Sequence, residues 1–439
     1  MKNTKYELTD ESLEVKGHKL YRIRALIDIN TSLGVIKAGS KGGFIESEAN
    51  LSFVGCSWVC DGAQVFEGAY IAGGAQVYGE AQVYGKAQVR GEARVHNSAQ
   101  IYDDARVFGK AQVSGKAQVR GKAQVRGDAQ VYGKAQVYGK AWIYGDAQVY
   151  GDARVYGDAR VHNSAQIYGK AQVYGDVIIY DDTQVFGEAQ VYGKAQVYGE
   201  AWVHNSARIY GEAQVFGDAQ VYSKAQVYGK AQVYGNAQVS GEVWVYDTAK
   251  VYDDAQVYGN ARVYGNAQVF GNAQVFGDAR VYGDAQVYGY VSAAGRAQVH
   301  GKAQVYGDVL TYDDAQVYGN AQVSGGAQVS GRARVYGDAQ VSGDAQVSGE
   351  ARVCGTAQIS SNKDYLCLYP VGSRSDVLTA YRGALGLTWV VVGCFFGTVE
   401  QFTEQVLKTH KGNIYEGQYL RAIELIKFSL SQKDITSGK

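Results

Sequence analysis

From Ala63 to Ala357 two apolar residues recur at fixed spacing, an Ala and a Val on either side of one polar residue, in the unit Ala-Gln-Val-Tyr-Gly-(Lys/Asp/Glu/Asn). Counting in sixes from Ala63 lands on Ala81, Ala141, Ala201, Ala261, Ala321 and Ala357 without an insertion. Looser copies precede it at Leu51-Ser52-Phe53 and Ser57-Trp58-Val59. Residues two apart share one side of a strand, so Ala and Val face one way while Gln and Tyr face the other. A helix is excluded, because Gly at every sixth position would cost about 1 kcal/mol each time. The period predicts a single-stranded parallel β-solenoid with about 18 residues per coil, roughly 17 coils in all if three hexads close one turn.

Each slot of the hexad carries a physical requirement. Val forms the inner wall, and Ala fills a corner with little room. Gly follows the outward Tyr where the chain bends and φ turns positive. Asn97, Asn163, Asn205, Asp103, Asp181, Asp247, Asp253 and Asp313 replace that Gly. Asn and Asp are the side chains that best tolerate such a backbone. Pro is missing from the repeat, as a ladder that uses nearly every N–H demands. Coils that contact only their neighbours should fold cooperatively as a stack.

The two ends break the pattern, which divides the chain into a β cap over residues 1–50, a solenoid over 51–362 and a small α+β region over 363–439. In the cap, Tyr6-Glu7-Leu8 and Leu20 to Leu26 read as strands. Gly34 to Gly39 and Gly42-Gly43-Phe44-Ile45 lead into the first coil, whose open edge this module would cover. After Asn362, Tyr365 to Tyr369 and Leu387 to Val392 read as strands, and the longest apolar run, Leu385 to Phe396, as a buried strand. Thr398 is a candidate N-cap for a helix reaching about Thr409, ended by Gly412-Asn413. Leu420, Ile423, Ile426 and Leu430 set the face of a second helix from about Glu416 to Leu430.

Charge and cysteine content narrow the function classes. The 43 basic and 43 acidic side chains cancel, which argues against a general nucleic-acid binder or a DNA mimic. No stretch from Met1 to Leu20 reads as a signal peptide, and no apolar run reaches spanning length. Five scattered Cys suggest reduced thiols in a cytoplasm. Cys56 and Cys60 lack a second pair at zinc spacing, and no phosphate-binding loop follows the Gly pattern, so neither metal nor cofactor is expected.

The opening Lys5-Tyr6-Glu7-Leu8-Thr9-Asp10, then His18-Lys19-Leu20-Tyr21-Arg22-Ile23, then Lys37-Ala38-Gly39 and Gly42 to Glu48, resembles the YdcK-like β-solenoid proteins of bacteria and their phages. Cys56-Ser57-Trp58-Val59-Cys60-Asp61 and the hexads continue the likeness over roughly residues 5–362. The resemblance implies a left-handed β-helix related in shape to hexapeptide acyltransferases, a hand opposite to the usual right-handed crossover. The tail with Gly393-Cys394-Phe395-Phe396-Gly397-Thr398 and Thr409-His410-Lys411-Gly412-Asn413 looks like one found on phage and prophage members. No catalytic residue carries over.

An acyltransferase would need a His base beside a groove. The candidates His96, His162, His204 and His300 all occupy the outward Tyr slot. His96 and His204 share one face but lie six coils apart, and His162 and His300 fall on the other two faces. No pair converges, and no loop interrupts the register.

Two outer surfaces are better candidates. Sorting the Tyr slot by 18 puts Tyr138, Tyr156, Tyr174, Tyr192, Tyr210, Tyr228, Tyr246, Tyr264 and Tyr282 on one face, a stripe suited to dimerisation or to a protein partner. A basic region over residues 86–140, with Lys86, Arg90, Arg120, Lys122 and Arg126, could meet an anionic partner. The expectation is a non-catalytic cytoplasmic scaffold or interaction protein, homo-oligomeric or bound to a protein, with a phage-encoded inhibitor of a host defence protein as one version. Acyl-CoA-dependent acyl transfer and polyanion binding are the alternatives.

Overall fold

The structure, a computed structural model, describes residues 3–431. Met1, Lys2 and residues 432–439, the end of the region 363–439, lie outside the described residues. The chain divides into two compact bodies, residues 1–224 and 225–439.

The first body opens with an antiparallel hairpin, β1 (Tyr6–Val15) and β2 (His18–Ala25). A small hairpin of β3 (Ile29–Thr31) and β4 (Gly34–Ile36) follows, then β5 (Lys41–Ile45). β5 lies antiparallel to β2 on one side and parallel to the first coil on the other, with Phe44 beside Gln64 and Ile45 beside Val65. That changeover needs backbone contact. A Cβ on Gly42 would lie 2.6 Å from the Val59 carbonyl oxygen, and one on Gly43 2.6 Å from that of Ala63.

The solenoid coils follow. The hexads contribute strands of two to four residues that pair in parallel with residues eighteen positions on, as Gln64, Gln82 and Gln100 do in one column. Backbone N–H groups donate to the following coil from three of six slots, as in Gln136 to Ala153 (2.9 Å), Tyr138 to Val155 (3.0 Å) and Lys140 to Gly157 (2.8 Å). Ala and Val of the repeat are completely buried, among them Ala135, Val137, Ala153 and Val155. Burying each Val contributes about 1.5–3 kcal/mol, so the interior is the main source of stability. All eight Asn and Asp substitutions of the Gly slot have φ between 55° and 60°. Asp61 does likewise at 50°, and Ser223 and Glu67, at 61° and 55°, extend the tolerance beyond the two residue types read from the sequence.

The cap wraps the first coils from outside as well as from the end. Tyr6 meets the buried Trp58 edge-on with ring centroids 6.4 Å apart. Asn50 donates through Nδ2 to the carbonyls of Glu67 (2.9 Å) and Ala69 (3.0 Å). Lys5 is only 2 % exposed, and its Nζ donates to the Ser52 carbonyl at 2.8 Å. Burial pulls its pKa down to about 8.

In the second body the coils run from the strand Gln226–Val227 to the strand Gln358–Ile359. A four-stranded antiparallel sheet follows: β6 (Tyr365–Val371), β7 (Asp376–Arg382), β8 (Thr388–Val392) and β9 (Phe395–Thr398). Helices α1 (Val399–Thr409) and α2 (Ile414–Ser431) pack on it around Leu378, Val390, Phe402, Val406, Ile423 and Ile426. Thr398 caps α1, accepting from the Gln401 N–H. β7 docks on the last coils. Tyr381 Oη donates to the Cys354 carbonyl (2.9 Å), and the Arg352 N–H donates to Thr379 Oγ1 (2.9 Å).

Two expectations for this region change. The run Leu385 to Phe396 is not one buried strand: Leu385 is 97 % exposed at φ 65°, and Gly393-Cys394 turns the chain between β8 and β9. β7 was also not expected from the sequence. Val377 to Tyr381 is buried throughout, between neighbouring strands, the helices and the last coils, so it lacks the alternation that marks a half-exposed strand. Among the described residues no helix is long and apolar enough to cross a membrane.

Candidate interaction surface

Outward Tyr side chains stack face to face from coil to coil, because parallel in-register strands repeat the same side chain about every 4.8 Å. In the first body Tyr138, Tyr156, Tyr174, Tyr192 and Tyr210 form one column, centroids 4.7–4.9 Å apart and rings within 5° of parallel. In the second, Tyr228, Tyr246, Tyr264 and Tyr282 stack at 4.8–5.0 Å, and His300, Tyr318 and Tyr336 extend the column. Ring faces are thereby covered by neighbouring rings. What reaches solvent is a row of ring edges and hydroxyls. Burial raises the pKa of Tyr156, Tyr192, Tyr246 and Tyr282, and neighbouring tyrosines in the stack raise it further.

Each candidate His is a rung of such a column. His96 stacks on Tyr78 (4.7 Å), and His162 lies between Tyr144 (4.6 Å) and Tyr180 (5.1 Å). His204 lies between Phe186 (4.7 Å) and Tyr222 (5.1 Å), and His300 between Tyr282 (4.6 Å) and Tyr318 (4.9 Å). Burial lowers the pKa of His96, His204 and His300, so the stack favours the neutral ring.

The basic residues do not form one patch. Arg120 occupies the Tyr slot, with its guanidinium 4.6 Å from the Tyr138 ring centre. Arg90 and Arg126 stand in another column, Arg126 lying 4.7 Å from Tyr144 and 5.0 Å from Trp142. Lys86 and Lys122 sit at turns two coils apart, with Asp104 in the coil between them. The arginines spend their charge against rings within the column. Sequence reasoning passed over these stacks and the similar one of Arg262 on Trp244 (4.8 Å), although counting the outer slots by eighteen would have found them. Among the described residues no group of three or more His, Cys, Asp or Glu is placed to hold a metal.

Six segments of the repeat, residues 99–115, 147–163, 231–247, 255–272, 273–289 and 327–343, match the family described as YdcK Beta solenoid repeat. A comparison with curated proteins gives no match. The matched segments recur through both bodies, each about one coil long and each starting on the Ala of a hexad, and the chain is a β-solenoid that carries YdcK-type repeats.

Proposed function

We propose that the chain is a non-catalytic scaffold whose stacked tyrosine columns bind a flat protein surface, either a second copy or a different protein. The observation that carries this reading is the stacking itself. Rings packed at 4.7–4.9 Å hold their hydroxyls in a fixed row, so little side-chain entropy is lost when a partner covers them. Tyr supplies large amphipathic contact area, the property that enriches it at interfaces. A phage-borne protein docking on a host protein is the specific form the family resemblance suggests.

Replacing Tyr156 and Tyr192 together by Glu places two charges on that row without touching the Val and Ala interior. Sedimentation velocity and chemical crosslinking in the host cell compare the variant with the wild type. Loss of the self-associated species, or of one specific crosslinked partner, supports the reading. Unchanged assembly and an unchanged crosslink pattern contradict it. Isothermal titration with acetyl-CoA addresses the acyltransferase class: binding abolished by substituting one His would displace the scaffold reading.

A further inference from the structure

The rung at Ala294 is missing from an aromatic column of the second body, and the residues around this gap depart from the repeat together. Tyr258 and Phe276 stack at 4.8 Å within 2° of parallel. The next residue of this column is Ala294 and the one after it Tyr312, as the pairings of Gln274 with Ser292 and of Ser292 with Leu310 fix. The backbone does not close up to compensate. Phe276 N–H donates to Ala293 (2.9 Å), Ala294 N–H to Thr311 (2.8 Å) and Tyr312 N–H to Val329 (3.0 Å), as in complete coils. The planes of Phe276 and Tyr312 therefore stand two rungs apart, about 9.6 Å at the strand spacing of about 4.8 Å. That separation admits one aromatic ring in stacking contact on both sides.

At two rungs of the first body an arginine replaces the missing ring from within the chain. The Arg120 guanidinium lies 4.6 Å from Tyr138, and that of Arg126 lies 4.7 Å from Tyr144. At Ala294 neither a ring nor a guanidinium lies against the far face of Phe276 or against Tyr312 among the described residues. The nearby Arg296 is tied to Asp314 at 2.8 Å.

The far end of the gap is altered as well. In complete rungs the Tyr hydroxyl meets a Gln sixteen positions on, as in Tyr252 to Gln268 (3.1 Å) and Tyr282 to Gln298 (3.3 Å). Sixteen positions after Ala294 stands Leu310, 38 % exposed, where the repeat would put Gln. The slot is thus walled by two aromatic faces, floored by a methyl group and ended by an apolar side chain. The gaps at Ser114, Ser240 and Ser330 differ, because Gln130, Gln256 and Gln346 stand at their ends.

We infer that the slot between Phe276 and Tyr312 is a binding site for a free planar aromatic ring with no polar group at its far end. The ring takes the place of the absent Tyr side chain and stacks on both neighbours, with its tip against Leu310.

Toluene and p-cresol differ only in the hydroxyl that would meet Leu310. Saturation-transfer NMR titrations with the full-length protein are expected to show toluene bound about fivefold more tightly, since the cresol hydroxyl meets no acceptor. Leu310→Gln should narrow that ratio. Ala294→Tyr should fill the slot and weaken toluene by more than about tenfold, at an unchanged or raised melting temperature that excludes unfolding as the cause. Toluene bound equally by wild type and Ala294→Tyr, or p-cresol preferred by the wild type, would overturn the assignment.

Discussion

Replacing Gly133 with a graded series of side chains isolates the turn that closes each hexad. Gly133 has φ 71°, and an added Cβ would stand 2.9 Å from the Gly151 nitrogen and 3.1 Å from its oxygen in the next coil. An L-residue held in the left-handed region costs about 1–2 kcal/mol before any crowding. With the close contact added, Gly133→Ala should cost about 2 kcal/mol and the β-branched Gly133→Val about 3 kcal/mol or more. Gly133→Asp should behave differently. In this slot an Asp carboxylate takes the N–H of the following turn, as Asp103 does from Gly121 (3.0 Å) and Asp247 from Gly265 (3.1 Å). Such a bond returns about 1 kcal/mol, less than a buried one because solvent reaches it. Gly133→Asp is therefore expected within about 1 kcal/mol of wild type. Urea unfolding followed by far-ultraviolet circular dichroism gives the order directly. Asp as destabilising as Ala, or Ala without cost, would refute both the strain and the capping.

Two further outcomes follow from burial at the cap and in the columns. Lys5, held at about pH 8 against an unfolded value of 10.5, binds its proton more weakly in the folded state, so its burial costs about 3 kcal/mol below pH 8. The cost is recovered as pH rises from 8 to 10.5; Lys5→Met should thus exceed wild type in stability at pH 7.5 by more than at pH 9.5, and a pH-independent difference would contradict the burial. Stacked tyrosines such as Tyr150 and Tyr168 have raised folded pKa values because burial disfavours the phenolate. Their stability contribution is complete below pH 10 and lost as pH rises past it, so ultraviolet titration of the native protein should show phenolate forming later than in urea, with far-ultraviolet signal falling as it forms.

How much of this was legible in the sequence depended on periodicity. Ala and Val two apart imply the dry interior, and Asn97 or Asp247 in the Gly slot marks the positive-φ turn. Counting by eighteen also gave the tyrosine columns. The orientation of their rings was not legible, because composition does not say whether a face or an edge meets solvent; in-register stacking at 4.7 Å settles that for Tyr138 and Tyr156. Lys5 was read as part of a motif and not as a buried amine, since a lone Lys beside a strand is ordinarily solvated. β7 escaped because a strand covered on both faces looks like any apolar run, and Leu385 escaped because an apolar run also conceals a turn.

The eighteen-residue register is the proposition on which the columns, the turns and the missing rung all depend, and a disulfide ruler tests it most directly. Gln172 and Gln190 are partners on adjacent coils, whereas Gln172 and Gln184 belong to different strand columns. With the five native cysteines replaced, Gln172→Cys/Gln190→Cys should close a bond under mild oxidation, because neighbouring strands about 4.8 Å apart fall within disulfide reach. Gln172→Cys/Gln184→Cys should stay reduced. Closure of the second pair in preference to the first would contradict a coil of eighteen residues, and with it the tyrosine columns.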